Sequence, residues 1–242
     1  MSFYSSIAEY YDFIFPFNRA HVDFVKSCIE QPYEGKMVLD VGCGTGDLAV
    51  ELTGMGFRVT GIDYDQEMLA EAKKKDQGSI PFLHMDMRDL SKAFKPATFD
   101  VVLCFGNTLV HLSDVAETGA FCGGVREALK GNGKFLLQIL NYDHILDHGV
   151  WELPLIENDT VRFERSYMYD GAANLLAFET KLYVKATGSM IENTIPLYPI
   201  RKGELKAALG KAGFAGISFY AGFDKSPLKD DSLPLVVEAQ AT

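Results

Sequence analysis

Between Val38 and Gly46 the chain reads VLDVGCGTG, an apolar run holding Asp40 and then glycines at 42, 44 and 46. Glycines at this spacing allow a tight turn and let the backbone approach a ligand with no Cβ in the way. The helical pattern that follows would offer free N–H groups at its start. Such a turn also serves α/β proteins for purely structural reasons, so it names no ligand by itself. It does disfavour some. A dinucleotide fold wants its third glycine at position 47, where this chain has Asp47, and no G-x-x-x-x-G-K-[ST] sequence is present for a nucleoside triphosphate. Asp40 would repel a pyrophosphate and suits a ligand that carries an ammonium group. Asp63 lies 21 residues beyond Gly42, after a second apolar run. There a carboxylate can accept both hydroxyl protons of a ribose. Asp86, in FLHMDMRD, can accept from an exocyclic amine such as that of adenine. Tyr64, Met68 and Met87 would supply apolar walls, although the two methionines fit ordinary core packing equally well.

These residues need a frame, and the apolar pattern supplies one. Val38–Val41, Arg58–Ile62, Phe82–His84, Val101–Phe105 and Phe135–Leu140 are short, nearly continuous apolar runs, as strands buried on both faces require. Helical spacing fills Asp47–Met55, Gln66–Lys75 and Asp114–Leu129 between them, which gives the βαβ rhythm of a parallel sheet. After Leu140 the period changes to two. Val161–Tyr169, the alternating stretch around Leu176–Val184, and Ile191–Leu197 read as a three-stranded antiparallel sheet. A helix over Lys202–Phe214, closed by Gly213, precedes strands at Ile217–Tyr220 and Leu235–Ala239. The expected fold is α/β: a doubly wound, mostly parallel sheet of seven strands with its last strand antiparallel, a helical cap over residues 1–33, and an antiparallel sheet inserted over 151–199. All belong to one domain spanning 1–242.

The composition agrees. The 242 residues are 48% hydrophobic and 23% charged, which suits a packed core at roughly 150 residues per domain and excludes disordered or coiled-coil classes. With 23 Lys and Arg against 33 Asp and Glu, the net charge of −10 repels a phosphate backbone and argues against nucleic acid as partner. No apolar run approaches the roughly 18 to 20 residues that cross a bilayer, so no membrane partner is expected. The start, Met1–Tyr11, lacks a secretion pattern, and a cytoplasmic protein is expected. Cys28, Cys43, Cys104 and Cys122 are scattered without C-x-x-C pairs, so neither disulfide nor metal is expected.

VLDVGCGTG, GIDYDQEML at Gly61–Leu69, the Asp86 segment and FDVVLCFGN at Phe99–Asn107 resemble, in order and spacing, the motifs of class I S-adenosylmethionine-dependent methyltransferases. The resemblance covers roughly residues 36–140. It implies S-adenosylmethionine as cofactor, with the loop from Gly42 to Gly46, Cys43 and Gly44 included, cradling its amino-acid part beside Asp40. Asp63 would then bind the ribose and Asp86 with Met87 the adenine, with Tyr64, Met68 and Phe105 as further cofactor-binding residues. Tyr11 in EYYD and Arg19 match positions that close over the methionine end, Arg19 pairing with its carboxylate.

The chain has no [DN]-P-P-[FYW] for a flipped base and no Pro-Cys for cytosine. GNTLVHL at Gly106–Leu112 and NYDHIL at Asn141–Leu146 resemble glycine N-methyltransferase and its small-molecule relatives, which place an antiparallel lid after the fifth strand. That family has an arginine before Asn-Tyr-Asp to hold the substrate carboxylate. Here the residue is Leu140, so glycine is not carried over as substrate. The expected activity is in-line methyl transfer to a small-molecule acceptor at nitrogen, driven chiefly by alignment. The alternatives are an O-methyltransferase or a non-catalytic cofactor sensor. His111 is a candidate general base or a helix-end histidine, and Tyr11, Asn107 and Tyr142 are candidates for positioning the acceptor. Tyr167, Tyr169, Tyr183 and Tyr198 suit an acceptor pocket built by the inserted sheet and the N-terminal segment, or a dimer contact; monomer and homodimer stay open.

Overall fold

The computed structural model describes residues 2–76 and 78–242, so Met1 of the expected cap lies outside the described residues. In chain order the elements are α1 (Phe3–Ile7), α2 (Tyr11–Ile14), α3 (Arg19–Cys28), β1 (Met37–Val41), α4 (Asp47–Gly54), β2 (Arg58–Asp63) and α5 (Gln66–Lys75). They continue with β3 (Phe82–His84), α6 (Leu90–Ala93), β4 (Phe99–Cys104), α7 (Val115–Ala128), β5 (Leu129–Leu140) and α8 (Tyr142–His148). The second sheet, β6 (Ile156–Glu157), β7 (Val161–Asp170), β8 (Leu175–Val184) and β9 (Ser189–Leu197), follows. The chain ends with α9 (Lys202–Lys211), β10 (Phe214–Tyr220) and β11 (Pro234–Ala241).

The first sheet has the order β10-β11-β5-β4-β1-β2-β3. Its strands from β5 to β3 run parallel, and β11 is antiparallel to both β5 and β10. Alternation along the strands explains why both faces are covered. Val101, Leu103 and Leu136 join a core under α3, α4 and α5, while Val102, Cys104 and Phe135 join the opposite core under α7 and α9. This is the doubly wound arrangement the apolar runs require. Crossovers in such a sheet leave the carboxyl ends of β1, β2 and β4 open on one edge, where ligands bind.

The second sheet has four strands rather than three, in the order β6-β7-β8-β9. Its extra strand pairs only Ile156 with Phe163 and Glu157 with Arg162, too short a segment for alternation to register. Other boundaries also differ from the sequence expectation. β5 begins at Leu129, ahead of Phe135, because a register shift between Phe99 and Val101 absorbs an irregular start. α9 stops at Lys211, and β10 starts at Phe214 once Gly213 has turned the chain at φ +91°. The inner face of the second sheet carries Val161, Phe163, Leu182 and Val184, which pack on Phe3, Ile7 and Ile14 of the N-terminal segment. Among the described residues, no helix is long and apolar enough to cross a membrane.

Candidate active site

The glycine loop emerges directly from β1. Gly42, Gly44 and Gly46 all have left-handed φ, at +71°, +55° and +80°. A Cβ on Gly42 would also stand 2.5 Å from Thr108 Cγ2 and Oγ1, so this position demands glycine twice over. Gly42 and Cys43 donate their N–H groups to the carbonyl of Ile62 at 2.8 and 3.0 Å, which fastens the loop to the end of β2.

Asp63 closes the same junction. Its Oδ2 accepts from the Gly44 N–H and its Oδ1 from the Asp65 N–H, both at 2.9 Å. The carboxylate therefore shapes the loop as well as facing the cleft. Desolvation raises its pKa, against the opposing pull of these backbone donors. Asp65 in turn caps α5, accepting from Glu67 and Met68. Asp40 stands inside β1, 4% exposed, and borders the cleft. Among the described residues nothing donates a hydrogen bond to its carboxyl. Burial, and then the neighbouring Asp63, push its pKa up to about 7.

These groups border a cleft of about 420 Å³, a size that suits a small-molecule site. The strand ends bring Asp40, Gly42, Cys43, Gly44 and Asp63 to its floor. Tyr64, Met68, Asp86, Met87 and Phe105 form its walls. Tyr64 is 69% exposed and stands at the rim, whereas Met68 is buried and reaches the cleft from the core. Asp86 already holds a partner, because Arg88 Nε and Nη2 donate to its two oxygens at 2.5 to 3.1 Å and keep its pKa below the usual carboxylate range. Tyr11 lies against the glycine loop, 3.8 Å from where a Cβ on Gly44 would sit.

Arg19 is not brought to this cleft. Placed at the start of α3, it stands outside the lining and donates to Glu51 on α4 at 3.0 Å. Asn107 and Tyr142 also turn away. Asn107 Nδ2 donates to the buried Tyr142 hydroxyl at 2.9 Å, and its Oδ1 accepts from the Leu140 N–H at 3.0 Å, so the pair braces the loop after β4.

The inserted sheet contributes no residue to the described lining of this cleft. Tyr167 and Tyr198 are buried, and Tyr198 bonds Glu204 at 3.1 Å. Tyr169 stacks near Trp151 and bonds Asn174, while Tyr183 is exposed. The wall on that side is the N-terminal segment instead, with Tyr4, Tyr11, Phe15 and His21. Of these only Tyr11 was legible; Tyr4 belongs to a five-residue helix with no motif around it.

His111 ends a single 3₁₀ turn, Thr108–His111, and shares a hydrogen bond from its Nε2 to the Tyr4 hydroxyl at 2.8 Å. The ring shows an edge to the cleft, yet the walls around it disfavour its charged form and push its pKa down to about 4. Burial moves the Tyr4 and Tyr11 hydroxyls the opposite way, so both remain neutral phenols.

The residues present fit a nucleoside carrying an ammonium group. The glycine loop has room for a ligand backbone, Asp40 is an acid without a hydrogen-bond donor, and Asp63 lies at the ribose position of a parallel α/β sheet. Fold and cleft thus define a nucleoside-binding enzyme of the Rossmann-like type.

A methyltransferase-domain profile matches residues 38–133. The glycine/sarcosine N-methyltransferase of Aphanothece halophytica is 30% identical over 214 residues, covering 86% of this chain and 76% of that protein. The ubiquinone biosynthesis O-methyltransferase of Thiobacillus denitrificans is 34% identical over 127 residues, 48% of this chain and 54% of that one. A crystal structure of an S-adenosylmethionine-dependent methyltransferase from Clostridium acetobutylicum superposes with a TM-score of 0.82 at 18% identity, covering 99% of each chain. The chain belongs to the class I S-adenosylmethionine-dependent methyltransferases. It is an enzyme that uses S-adenosylmethionine, which sets aside a sensor without turnover.

Proposed function

We propose that the methyl group goes to the nitrogen of a small amine that carries no carboxylate beside it. The observation that carries this reading is the polar set at the cleft: Tyr4, Tyr11 and His111, all neutral, in a lining that among the described residues holds no Lys or Arg besides the paired Arg88. When bound, the cofactor would supply an activated sulfonium methyl: the acceptor lone pair bonds to that carbon as the C–S bond breaks and the pair returns to sulfur, leaving the thioether, and the methylated ammonium gives its proton to water. The chain then has to bind, align and exclude water. Asp40 would face the ammonium end, Gly42–Gly46 would cradle the amino-acid part, Asp63 would accept from the ribose, and Tyr4, Tyr11 and Phe15 would shield the reacting end from water. With His111 Nε2 accepting from Tyr4, the phenol oxygen keeps lone pairs that accept from an amine N–H and orient its own lone pair.

Nitrogen is favoured over oxygen because a neutral amine is already nucleophilic, whereas a hydroxyl acceptor needs a base to ionise it. A histidine held near pKa 4 is a poor base for that task. The name of the Aphanothece relative points the same way, and the O-methyltransferase likeness covers only 48% of this chain. A carboxylate on the acceptor finds no clamp. Among the described residues the only Lys or Arg in the lining is Arg88, engaged by Asp86 and Glu117, while Asp40, Asp47, Asp63, Asp65 and Asp86 make the cleft acidic. That acidity and the net charge of −10 also support a small molecule over nucleic acid.

The test is transfer of labelled methyl from S-adenosylmethionine to a panel of alkyl and arylalkyl amines, phenols, glycine and sarcosine. Label on amine nitrogen with little on glycine is expected. Label on phenol oxygen alone overturns the nitrogen assignment, and glycine methylated as fast as the amines overturns the absence of a carboxylate clamp.

A further inference from the structure

Tyr11 lines the cleft, and the next residue, Asp12, stands outside the lining and meets the last turn of α5. There Lys75 Nζ lies 2.5 Å from Asp12 Oδ2, 2.7 Å from Asp47 Oδ1 and 3.0 Å from Thr45 Oγ1. Thr45 Oγ1 itself donates to Asp12 Oδ1 at 2.5 Å. An ammonium has three donors, and these three acceptors belong to three different parts of the site: the N-terminal segment, the glycine loop and the first residue of α4. The opposite end of α5 grips the same segment, since Asp65 accepts from the Ser2 and Ser5 hydroxyls. The stretch carrying Tyr4 and Tyr11 is therefore fastened at both ends of one helix, the helix that follows Asp63.

We propose that Lys75 is a positioning residue: by holding Asp12 against the glycine loop, it sets Tyr11 over the cleft and controls how fast the cofactor product leaves. This rests on the placement of the cofactor in that cleft. The segment's apolar side, Phe3, Ile7 and Ile14, is anchored on the second sheet and not on the parallel one. Across the cleft its side chains meet the parallel-sheet body through hydrogen bonds at Asp65 and His111 and through this ionic cluster. The cluster is the ionic contact to the glycine loop, next to the van der Waals approach of the Tyr11 ring to Gly44, so its loss leaves Tyr11 held there by packing alone. A half-exposed ion pair adds little to global stability, so a purely structural role and a positioning role predict different readouts.

The variants are Lys75→Met, Lys75→Arg, Asp12→Asn and the Lys75→Met/Asp12→Asn double. Release of S-adenosylhomocysteine is followed by stopped-flow displacement, amide exchange is followed over residues 3–14, and each ligand-free protein is melted. Lys75→Met is expected to speed release roughly tenfold, as loss of a partly buried charge-assisted contact does, and to raise exchange in the segment with little change in melting. Lys75→Arg should stay close to the parent, and the double variant should be no faster than Lys75→Met, because both changes remove one contact. A folded Lys75→Met with parental release and exchange overturns the proposal, as does full additivity in the double variant. If Lys75→Met fails to fold, Asp12→Asn decides by the same two readouts. Asp63→Ala, measured alongside, separates the two levels. Weakened binding there with unchanged Lys75 variants overturns the positioning role alone, whereas no change in either overturns the placement of the cofactor.

Discussion

Asp40 joins burial, charge and ligand chemistry at one carboxyl. Its pKa is pushed up to about 7, first by desolvation and then by Asp63, so the ligand-free protein holds a proton there below neutrality. The unfolded chain releases that proton near the ordinary aspartate value. The folded state therefore binds the extra proton between about pH 4 and pH 7, and stability from this group falls as pH rises through that window. A ligand ammonium reverses the preference and favours the ionised form. Affinity for S-adenosylmethionine should rise between pH 5.5 and 7, approaching tenfold per unit well below the pKa, with one proton released on binding. Calorimetry in two buffers of different ionisation heat reads both quantities. A flat profile without proton release means that the ammonium is not at Asp40, and Asp40→Asn should flatten the profile if it is. At this scale the sequence showed what lies close along the chain. Asp40 stands in β1 just before the glycines, and Asp63 ends the next strand. Arg19 was misplaced because position along α3 does not say which neighbour its side chain meets, and Glu51 meets it first. Tyr4 and Arg88 carried no motif, and only their partners His111 and Asp86 were visible.

Between elements, the second sheet acts on the site through a layer it does not itself form. Phe163 of β7 is fully buried and packs in the cluster that holds Phe3, Ile7 and Ile14. The Phe15 ring meets it edge-on at 6.0 Å, and Phe15 borders the cleft. Phe163→Ala should therefore loosen the N-terminal segment, with a local loss of about 3 to 5 kcal/mol, the usual range for emptying a buried phenylalanine site. Cofactor affinity should fall with it, although Phe163 is not itself a lining residue of the cleft. Amide exchange over residues 3–14 and titration with S-adenosylhomocysteine check the two halves. Weakened segment protection with parental affinity would show that the sheet does not support the site. The two-residue alternation of β7 to β9 and the continuous apolar runs of β1 to β4 made both sheets readable before any coordinates. What alternation could not convey is what a buried face is buried against. The tyrosines of the insertion drew the eye, while its apolar face is the seat of the N-terminal helices. β6 escaped notice because two residues carry no period.

For the whole molecule the question is whether 242 residues with two sheets form one cooperative unit. The insertion leaves the parallel fold after α8 and returns at α9, and Arg201 ties these elements with bonds to Asp143 at 3.2 Å and Asp147 at 2.9 Å. Beside that junction, the Tyr198 N–H donates to the Val110 carbonyl at 2.8 Å, joining the end of the insertion to the turn that carries His111. The cores are joined as well. Tyr167, Leu176 and Leu197 of the second sheet belong to the same buried cluster as Leu39, Phe135 and Leu137 of the first. Two independent domains would each enclose their own core, with few contacts between them. Length, an uninterrupted chain without a linker and the late change of period already suggested a single domain with an insertion. The shared cluster favours the same reading, and it was invisible earlier because it joins residues distant in sequence. Differential scanning calorimetry on the ligand-free protein should accordingly give one transition with calorimetric and van't Hoff enthalpies in agreement. Residues 151–199 should lose exchange protection together with β4 and β5 at the same denaturant concentration. If the insertion opens first, with a calorimetric enthalpy well above the van't Hoff value, it folds as a separate unit, and Tyr167, Leu176 and Leu197 then contribute less to the common core than their burial implies.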